Sequence, residues 1–362
     1  MSKTNEFCAI DFFCGGGGMT HGLRQAGIHV VGGIDFDLAC KTTYEDNNPG
    51  TTFIHSDITK LPNDYFEKNL NILRNDDNLI LVGCSPCQYY SIINTSREKA
   101  RKSKDLLREF KRFVDYYNPG FVLVENVPGL ASRHDSVLPE FLDFLEKKQY
   151  RYEWKIVNMS YYGVPQSRKR FSLIASRLGE VYLPAPDQEQ AKLVDFIGEA
   201  HGFQRVEAGH SDKSDFMHSV SKLNDINLRR LMKTPHDGGS RLAWKDDEEL
   251  QLPCYIGKDH SFTDVYGRLR WNTPSSTITT GFYKISCGRF AHPEENRGLS
   301  IREGATLQTF PHNYIFKGGC LVNNARIIGN AVPPEYGRRL GLLLQELKKN
   351  YHGTIQNQSQ SR

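Results

Sequence analysis

Residues 8–175 alternate short apolar runs with amphipathic stretches, and that rhythm stops at about Leu178. Phe7–Asp11 reads as a first strand, followed by a run of glycines and a helix from Met19 to about Gln25 that Gly27 stops. Ile28–Ile34 reads as a second strand ending at Asp35, then a helix around Leu38–Tyr44, a strand at Thr52–Ile54 and a buried strand at Leu79–Gly83. Leu106, Leu107, Phe110, Phe113, Val114 and Tyr117 fall on one helical stripe, closed by Asn118-Pro119-Gly120. A strand at Phe121–Val124 follows, then a second stripe of Leu138, Phe141, Leu142 and Leu145, and strands near Trp154–Val157 and Phe171–Ala175. Repeated strand–helix–strand units predict an α/β fold with a doubly wound, mostly parallel, Rossmann-like sheet. Residues 180–290 carry polar loops and turn signals such as His236-Asp237-Gly238-Gly239, which predicts a second, smaller and irregular domain. The expected division is 1–177 plus 322–350 for the sheet domain and 178–321 for the irregular one, with a disordered polar tail at 351–362. A helix at Tyr336–Leu347, with Leu340, Leu343, Leu344 and Leu347 on one side, is expected to pack back on the sheet domain.

Two places along this pattern carry chemistry. Asp11-Phe12-Phe13-Cys14-Gly15-Gly16-Gly17-Gly18 follows the first strand and opens a helix, where glycines let backbone turn tightly against a ligand. Asp35 ends the second strand about 20 residues on, where a carboxylate can bind ribose hydroxyls, and Phe36 can stack on an adenine ring. An adenosine-containing cofactor is the expectation. Nicotinamide, flavin and S-adenosylmethionine proteins all use such a turn, and the spacing here is not a clean G-x-G-x-x-G. The second place is Ser85-Pro86-Cys87-Gln88, directly after the strand Leu79–Gly83. Open α/β sheets hold ligands beyond the carboxyl ends of their strands. Glu125-Asn126-Val127 ends a second strand; if the two strands are parallel, a thiol and a carboxyl group face one crevice, a pairing suited to covalent attack by sulfur assisted by an acid. Cys84 and Cys87 also form a C-x-x-C, so a redox reading stands beside the nucleophilic one.

Composition removes other classes. Hydrophobic residues make up 38% of the 362, and no apolar run approaches the ~20 residues of a membrane span. The N-terminus lacks a signal-peptide layout, so a cytosolic protein is expected. The eight cysteines are scattered, with no second pair or histidines at ligand spacing, so neither a metal site nor a disulfide framework is expected. Net charge is +4, but Arg97, Lys99, Arg101, Lys102 and Lys104 crowd one stretch and Arg168, Lys169 and Arg170 another. Such patches are compatible with phosphate contacts and equally with a solvated surface.

Taken in order along almost the whole chain, these motifs resemble those of the DNA (cytosine-5)-methyltransferases of the compact bacterial or phage kind. Asp11, Phe13, Gly15, Gly17 and Gly18 resemble the family's first motif, Asp35-Phe36 its ribose and adenine contacts, and Asp57-Ile58 its third motif. Pro86-Cys87-Gln88 with Ser91 resembles the nucleophile motif, Glu125-Asn126-Val127 the catalytic glutamate motif, and Gln166, Arg168 and Arg170 the Q-x-R-x-R motif. Arg297, Arg302-Glu303, Leu307-Gln308 and Phe310-Pro311 resemble the ninth motif, and Gly329-Asn330-Ala331-Val332-Pro333-Pro334 the tenth. Three positions depart from the commoner residues: Asp35 for Glu, Phe36 for Trp and Ser300 for Thr.

The resemblance implies S-adenosylmethionine as cofactor, held by those first and third motifs, Asp35, Phe36, Pro86, Asn330 and Val332, with no metal. It implies double-stranded DNA as substrate, Cys87 as nucleophile, Glu125 at cytosine N3 and the exocyclic amine, Arg168 at the base oxygen and steadying Glu125, and Gln88 and Ser91 holding DNA. The stretch Tyr89–Lys104 takes the part of a loop closing over DNA, and residues 178–290 become the target-recognition region, where Arg229, Arg230, Arg241, Arg268 and Arg270 are candidate base readers. Arg302-Glu303 is expected to be a structural helix pair. A monomer in the bacterial cytoplasm, with a separately encoded restriction endonuclease and no stable complex with it, completes the expectation. The rivals are a transfer RNA methyltransferase, a non-catalytic nucleic-acid-binding regulator and a nicotinamide oxidoreductase.

Overall fold

The computed structural model describes residues 6–85 and 105–360, with the side chains of the last helix through Tyr351. Pro86, Cys87, Gln88, Ser91 and the basic stretch 97–104 therefore lie outside the described residues. The chain divides into two compact units, Met1–Asn158 with Lys169–Pro186 and Val332–Arg362, and Met159–Arg168 with Asp187–Ala331.

The first unit is built on seven strands: β1 Cys8–Phe12, β2 His29–Asp35, β3 Thr52–His55, β4 Leu79–Gly83, β5 Phe121–Asn126, β6 Arg151–Asn158 and β8 Lys169–Ser176. Their order is β3-β2-β1-β4-β5-β8-β6. The pairs from β3 through β5 are parallel, while β8 runs antiparallel to both β5 and β6. The order reverses between β1 and β4, and the crevice beyond the carboxyl ends of strands at such a switch point is where these sheets place ligands.

Helices α1 Gly18–Gln25, α2 Lys41–Asn47, α3 Tyr65–Leu70, α4 Leu106–Tyr117, α5 Gly129–Ser132 and α6 Leu138–Lys147 connect the strands. The expected stripe of α4 is buried at Leu107, Phe110, Phe113, Val114 and Tyr117. Phe12 on β1 sits with its ring 5.5 Å from Phe66, 5.2 Å from Phe110 and 5.0 Å from Phe113, which locks β1 to α3 and α4.

The opposite face of the sheet takes α1 and the long helix Pro334–Gln360, α10 in chain order. Leu340, Leu343, Leu344 and Leu347 are buried as the periodicity predicts. The helix does not stop near Leu347, and the tail expected to be disordered from Tyr351 is helical to Gln360. Tyr351 anchors it: the ring stacks on Phe121 with centroids 6.2 Å apart, and the hydroxyl donates to the Glu180 carbonyl. The tyrosine supplies the apolar contact that a polar composition hides.

The second unit has little regular structure: helices α7 Asp225–Lys233, α8 Ile301–Leu307 and α9 Leu321–Asn330, with two-residue strands β7 Gln166–Ser167 and β9 Ser275–Ser276. Loops without ladders leave carbonyls that need donors, and buried arginines supply them. Arg268 is fully buried and donates to the carbonyls of Leu231, Thr234, His292 and Glu295. Arg241 holds those of Lys258, Ser261 and Phe262, and Arg302 those of Asp215, Phe216, Pro311 and Tyr314. Arg230, also buried, donates to Leu250. The reading of Arg230, Arg241 and Arg268 as base contacts is thus corrected: their guanidinium groups are buried and donate inward, to main-chain carbonyls and to the Asn227 and Asn296 side chains. Arg229 and Arg270 are exposed, Arg229 being paired with Glu249.

Arg302 and Glu303 do not pair with each other. Glu303 lies at zero exposure and takes both terminal nitrogens of Arg297 at 2.8 Å. Burial alone would push its carboxyl up, but the Arg297 guanidinium overrides this and holds it down to about 2. Ser300 caps α8 in a complete capping box with Glu303, a role serine fills as well as threonine.

The boundaries between units differ from those read in the sequence. Residues 178–186 stay with the sheet because Leu183 N–H donates to the Glu153 carboxylate on β6 and Tyr182 to Glu346. Residues 159–168 and α9 belong to the second unit, where β7 pairs with β9 and the Ile328 carbonyl accepts from Gln308.

Helices α1 and α10 pack backbone against backbone. A Cβ on Gly22 would stand 2.1 Å from the Pro334 carbonyl oxygen and 2.7 Å from the Arg338 nitrogen, both main chain. Gly22→Ala is expected to destabilise the protein by about 1–3 kcal/mol or more, read as a lower urea midpoint with little change in slope.

Candidate active site

The glycine turn is held open by its own backbone. Phe13 has φ 63, a left-handed conformation that a bulky residue rarely adopts, and Gly15 and Gly17 follow at φ 51 and 89. Strain at a non-glycine residue in a loop beyond a strand end is a mark of a functional site. Asp35 fixes the turn from the next strand: one carboxylate oxygen accepts Gly15 N–H at 2.8 Å and the other accepts Asp37 N–H at 2.8 Å. Burial pushes this carboxyl up, and those two N–H groups pull against it.

A small open cleft lies here, lined by Phe12, Phe13, Ile34, Asp35, Phe36, Ser56, Asp57, Ile58 and Leu106. Phe13, Asp35, Phe36, Asp57 and Ile58 thus meet as the motifs imply. Ser56 and Leu106 were missed, Leu106 because it reads as one more position on the α4 stripe. Phe36 leaves 67% of its surface exposed at the cleft, an unpaired aromatic face. An adenosine-type ligand fits this lining, with a ring to stack on, a carboxylate at the strand end and an apolar floor.

Asp11 does not face the cleft as a free carboxylate. It is fully buried, and one oxygen accepts from the Thr20 hydroxyl at 2.7 Å, in the first turns of α1. The other oxygen has no hydrogen-bond partner among the described residues. Burial drives its pKa up to about 7, the Thr20 hydrogen bond opposing and Asp35 assisting. Gly18 opens α1. Asn330 ends α9 exposed in the second unit, and Val332 is buried where the chain re-enters the first.

At the next strand ends, Glu125 and Asn126 close β5. The Asn126 amide donates to the Ser85 hydroxyl at 3.1 Å and its carbonyl oxygen accepts Val127 N–H at 2.9 Å, so the last described residue before Pro86-Cys87 is tied to the end of β5. Glu125 is buried and its carboxylate lies 3.2 Å from the guanidinium of Arg170.

This corrects the reading of Arg168 as the residue steadying Glu125. Register decides it: β8 pairs antiparallel with β5, Glu125 opposite Ser172 and Asn126 opposite Phe171, which brings Arg170 to the crest. Arg168 precedes β8, belongs to the second unit, and donates to the carbonyls of Ile278 at 3.2 Å and Ala331 at 3.1 Å. The motif text names both arginines alike, and only strand register distinguishes them.

A family model described as C-5 cytosine-specific DNA methylase matches residues 7–346. The Type II methylase M.HgiDII of Herpetosiphon aurantiacus is 37% identical over 352 residues, covering 95% of this chain and 96% of that protein. The Type II methyltransferase M1.HphI of Haemophilus parahaemolyticus is 28% identical over 359 residues, covering 97% and 91%. The crystal structure of a putative prophage-encoded DNA modification methyltransferase from E. coli superposes with a TM-score of 0.70 at 19% identity, over 94% of this chain and 99% of that one. The sheet is therefore that of the S-adenosylmethionine-dependent methyltransferases. The chain belongs to the C-5 cytosine-specific DNA methylase family, and as an enzyme it is a DNA (cytosine-5-)-methyltransferase. Among the described residues no helix is long and apolar enough to cross a membrane.

The raised pKa of Asp11 sets a pH signature. Its carboxyl moves from 3.8 in the unfolded chain to about 7 in the fold, so its contribution is complete below 3.8, declines as pH rises and is gone above about 7. Asp11→Asn should gain denaturant midpoint relative to the parent across that window and hold the gain above it. A constant difference between the two proteins at all pH values would show that Asp11 does not titrate there.

Proposed function

We propose that the protein methylates C5 of a cytosine extruded from a short, specific duplex DNA sequence, with S-adenosylmethionine as donor, and protects DNA beside a separately encoded restriction endonuclease. The observation that carries the reading is the buried Glu125–Arg170 pair, beside a strand end that Asn126 ties to Ser85 at the mouth of the Pro86-Cys87-Gln88 motif. The Type II names of the relatives support the pairing with an endonuclease. The target atom is inaccessible in a stacked duplex, so the base must leave the helix.

Cytosine C5 is a weak nucleophile until its aromaticity is broken. The Cys87 thiolate adds to C6, and the C5–C6 electron pair moves onto the ring while Glu125 offers a proton at N3. Arg170 holds Glu125 in place and adds positive charge beside the base. S-adenosylmethionine, when bound, supplies an electrophilic methyl group at C5. Loss of the C5 proton then expels sulfur and restores the ring. Phe13, Phe36, Asp35, Asp57 and Ile58 hold the adenosine end of the cofactor. Asp11 acts from beneath through Thr20, while Gly15, Gly17, Gly18, Pro86, Asn330 and Val332 complete the contacts by motif. Gln88 and Ser91 hold DNA.

Duplex DNA bearing 5-fluorocytosine should remain covalently attached at Cys87, because fluorine cannot leave C5 as a proton does. Cys87→Ser should abolish both methylation and trapping, and mass spectrometry placing the adduct elsewhere would remove the mechanism. Transfer RNA offered in place of duplex DNA should not be methylated. Arg170→Ala is expected to lower kcat by about 10²–10³ while the protein stays folded. Arg168→Ala should chiefly lower the thermal midpoint. A reversed pattern in steady-state kinetics and thermal scans would return the role to Arg168.

A further inference from the structure

Two side-chain amides meet in the interior of the second unit, each at zero exposure: Gln166 on β7 and Gln308 after α8. Gln166 donates to the Leu307 carbonyl at 2.8 Å and to the Gln308 side-chain oxygen at 2.7 Å, and its own oxygen accepts Ile278 N–H at 2.9 Å. Gln308 donates to the carbonyls of Ile328 at 2.6 Å and Ala331 at 3.3 Å. Every N–H of both amides is used, as a buried polar network requires if it is to specify one arrangement. Arg168 joins the network at both of its outer ends, through the carbonyls of Ile278 and Ala331.

We propose that Gln308 is a positioning residue for methyl transfer. The Ala331 carbonyl, held by Gln308 and Arg168 together, lies between Asn330 and Val332, the two residues that the tenth motif assigns to the cofactor. Arg168, anchored on the same carbonyl, stands two residues before Arg170, whose guanidinium meets Glu125. One amide that touches neither substrate nor cofactor thus fixes the two chain segments that deliver contacts to each. Ile328 and Ala331 carry end carbonyls of α9, so stapling that helix is the rival role, and cofactor affinity and kcat in the folded variants separate the two. Displacing a reacting group by an ångström can cost about a hundredfold in rate.

The inference rests on the function proposed above, so the parent is assayed first for S-adenosylhomocysteine binding and for methylation of duplex DNA. Gln308→Met keeps the length and removes every hydrogen bond, and Gln308→Asn keeps the amide one methylene short. Arg302→Met is the comparison, because Arg302 is equally buried and holds the carbonyls of Asp215, Phe216, Pro311 and Tyr314, none of them in the segments that carry Asn330 or Arg170. The folded Gln308 variants should bind S-adenosylhomocysteine about tenfold more weakly and lose about tenfold in kcat. Arg302→Met should lose thermal midpoint with affinity unchanged. Three results overturn the inference alone: parent-like affinity and kcat in a folded Gln308 variant, an equal affinity loss in Arg302→Met, or failure of both Gln308 variants to fold. A parent that neither binds S-adenosylhomocysteine nor methylates DNA removes the function above and this inference with it.

Discussion

The second unit exists as an ordered body because guanidinium groups take the place of a hydrogen-bond ladder. A chain segment that folds back through loops leaves carbonyl oxygens pointing inward, and each costs roughly 1–3 kcal/mol if left without a donor. Arginine suits the task. Its five N–H groups lie in one plane, and it stays protonated even when burial lowers the pKa of Arg268 and Arg302 to about 10. One such side chain can hold three or four turns at once, as Arg268 does for residues between Leu231 and Glu295. The exception is Arg297, whose charge is met by Glu295 and Glu303. There the ion pair holds Glu303 in the first turn of α8, where it also completes the capping box with Ser300.

The first unit solves its problem differently. Its sheet satisfies its own backbone, so the side chains are free to pack, and the constraint moves to the connections. Phe12 and the rings around it fix the strand that leads into the glycine turn, and the helix that follows the turn packs closely on α10. The strained Phe13 conformation persists because both supports are rigid. Asp35 adds the polar half, joining the turn to the end of β2.

What the sequence discloses follows from these two designs. The strands and helices of the first unit were legible because burial on a regular element writes a period into the residues, as the α4 stripe does. Asp35 and Phe36 were singled out by their spacing from the glycine turn, Asp57 and Ile58 by the family resemblance, and all four line one cleft. The roles of Arg230, Arg241 and Arg268 were not legible, since a positive charge reads the same whether it faces a phosphate or a buried carbonyl. Arg168 and Arg170 could not be told apart for a related reason: the difference lies in which of them belongs to β8, and two residues of text do not show where a strand begins. The tail was misread because one tyrosine, set among polar neighbours, anchors it.

The chain passes between the two units four times, so neither is a continuous piece of polypeptide. Exchanging the second unit as a cassette invites cuts at 187 and 331. Such a graft would leave the ten residues from Met159 to Arg168 behind, and with them the amide that greets Gln308. A chimaera of that kind would join two halves of a lock cut for different keys unless the short segment travels with the long one.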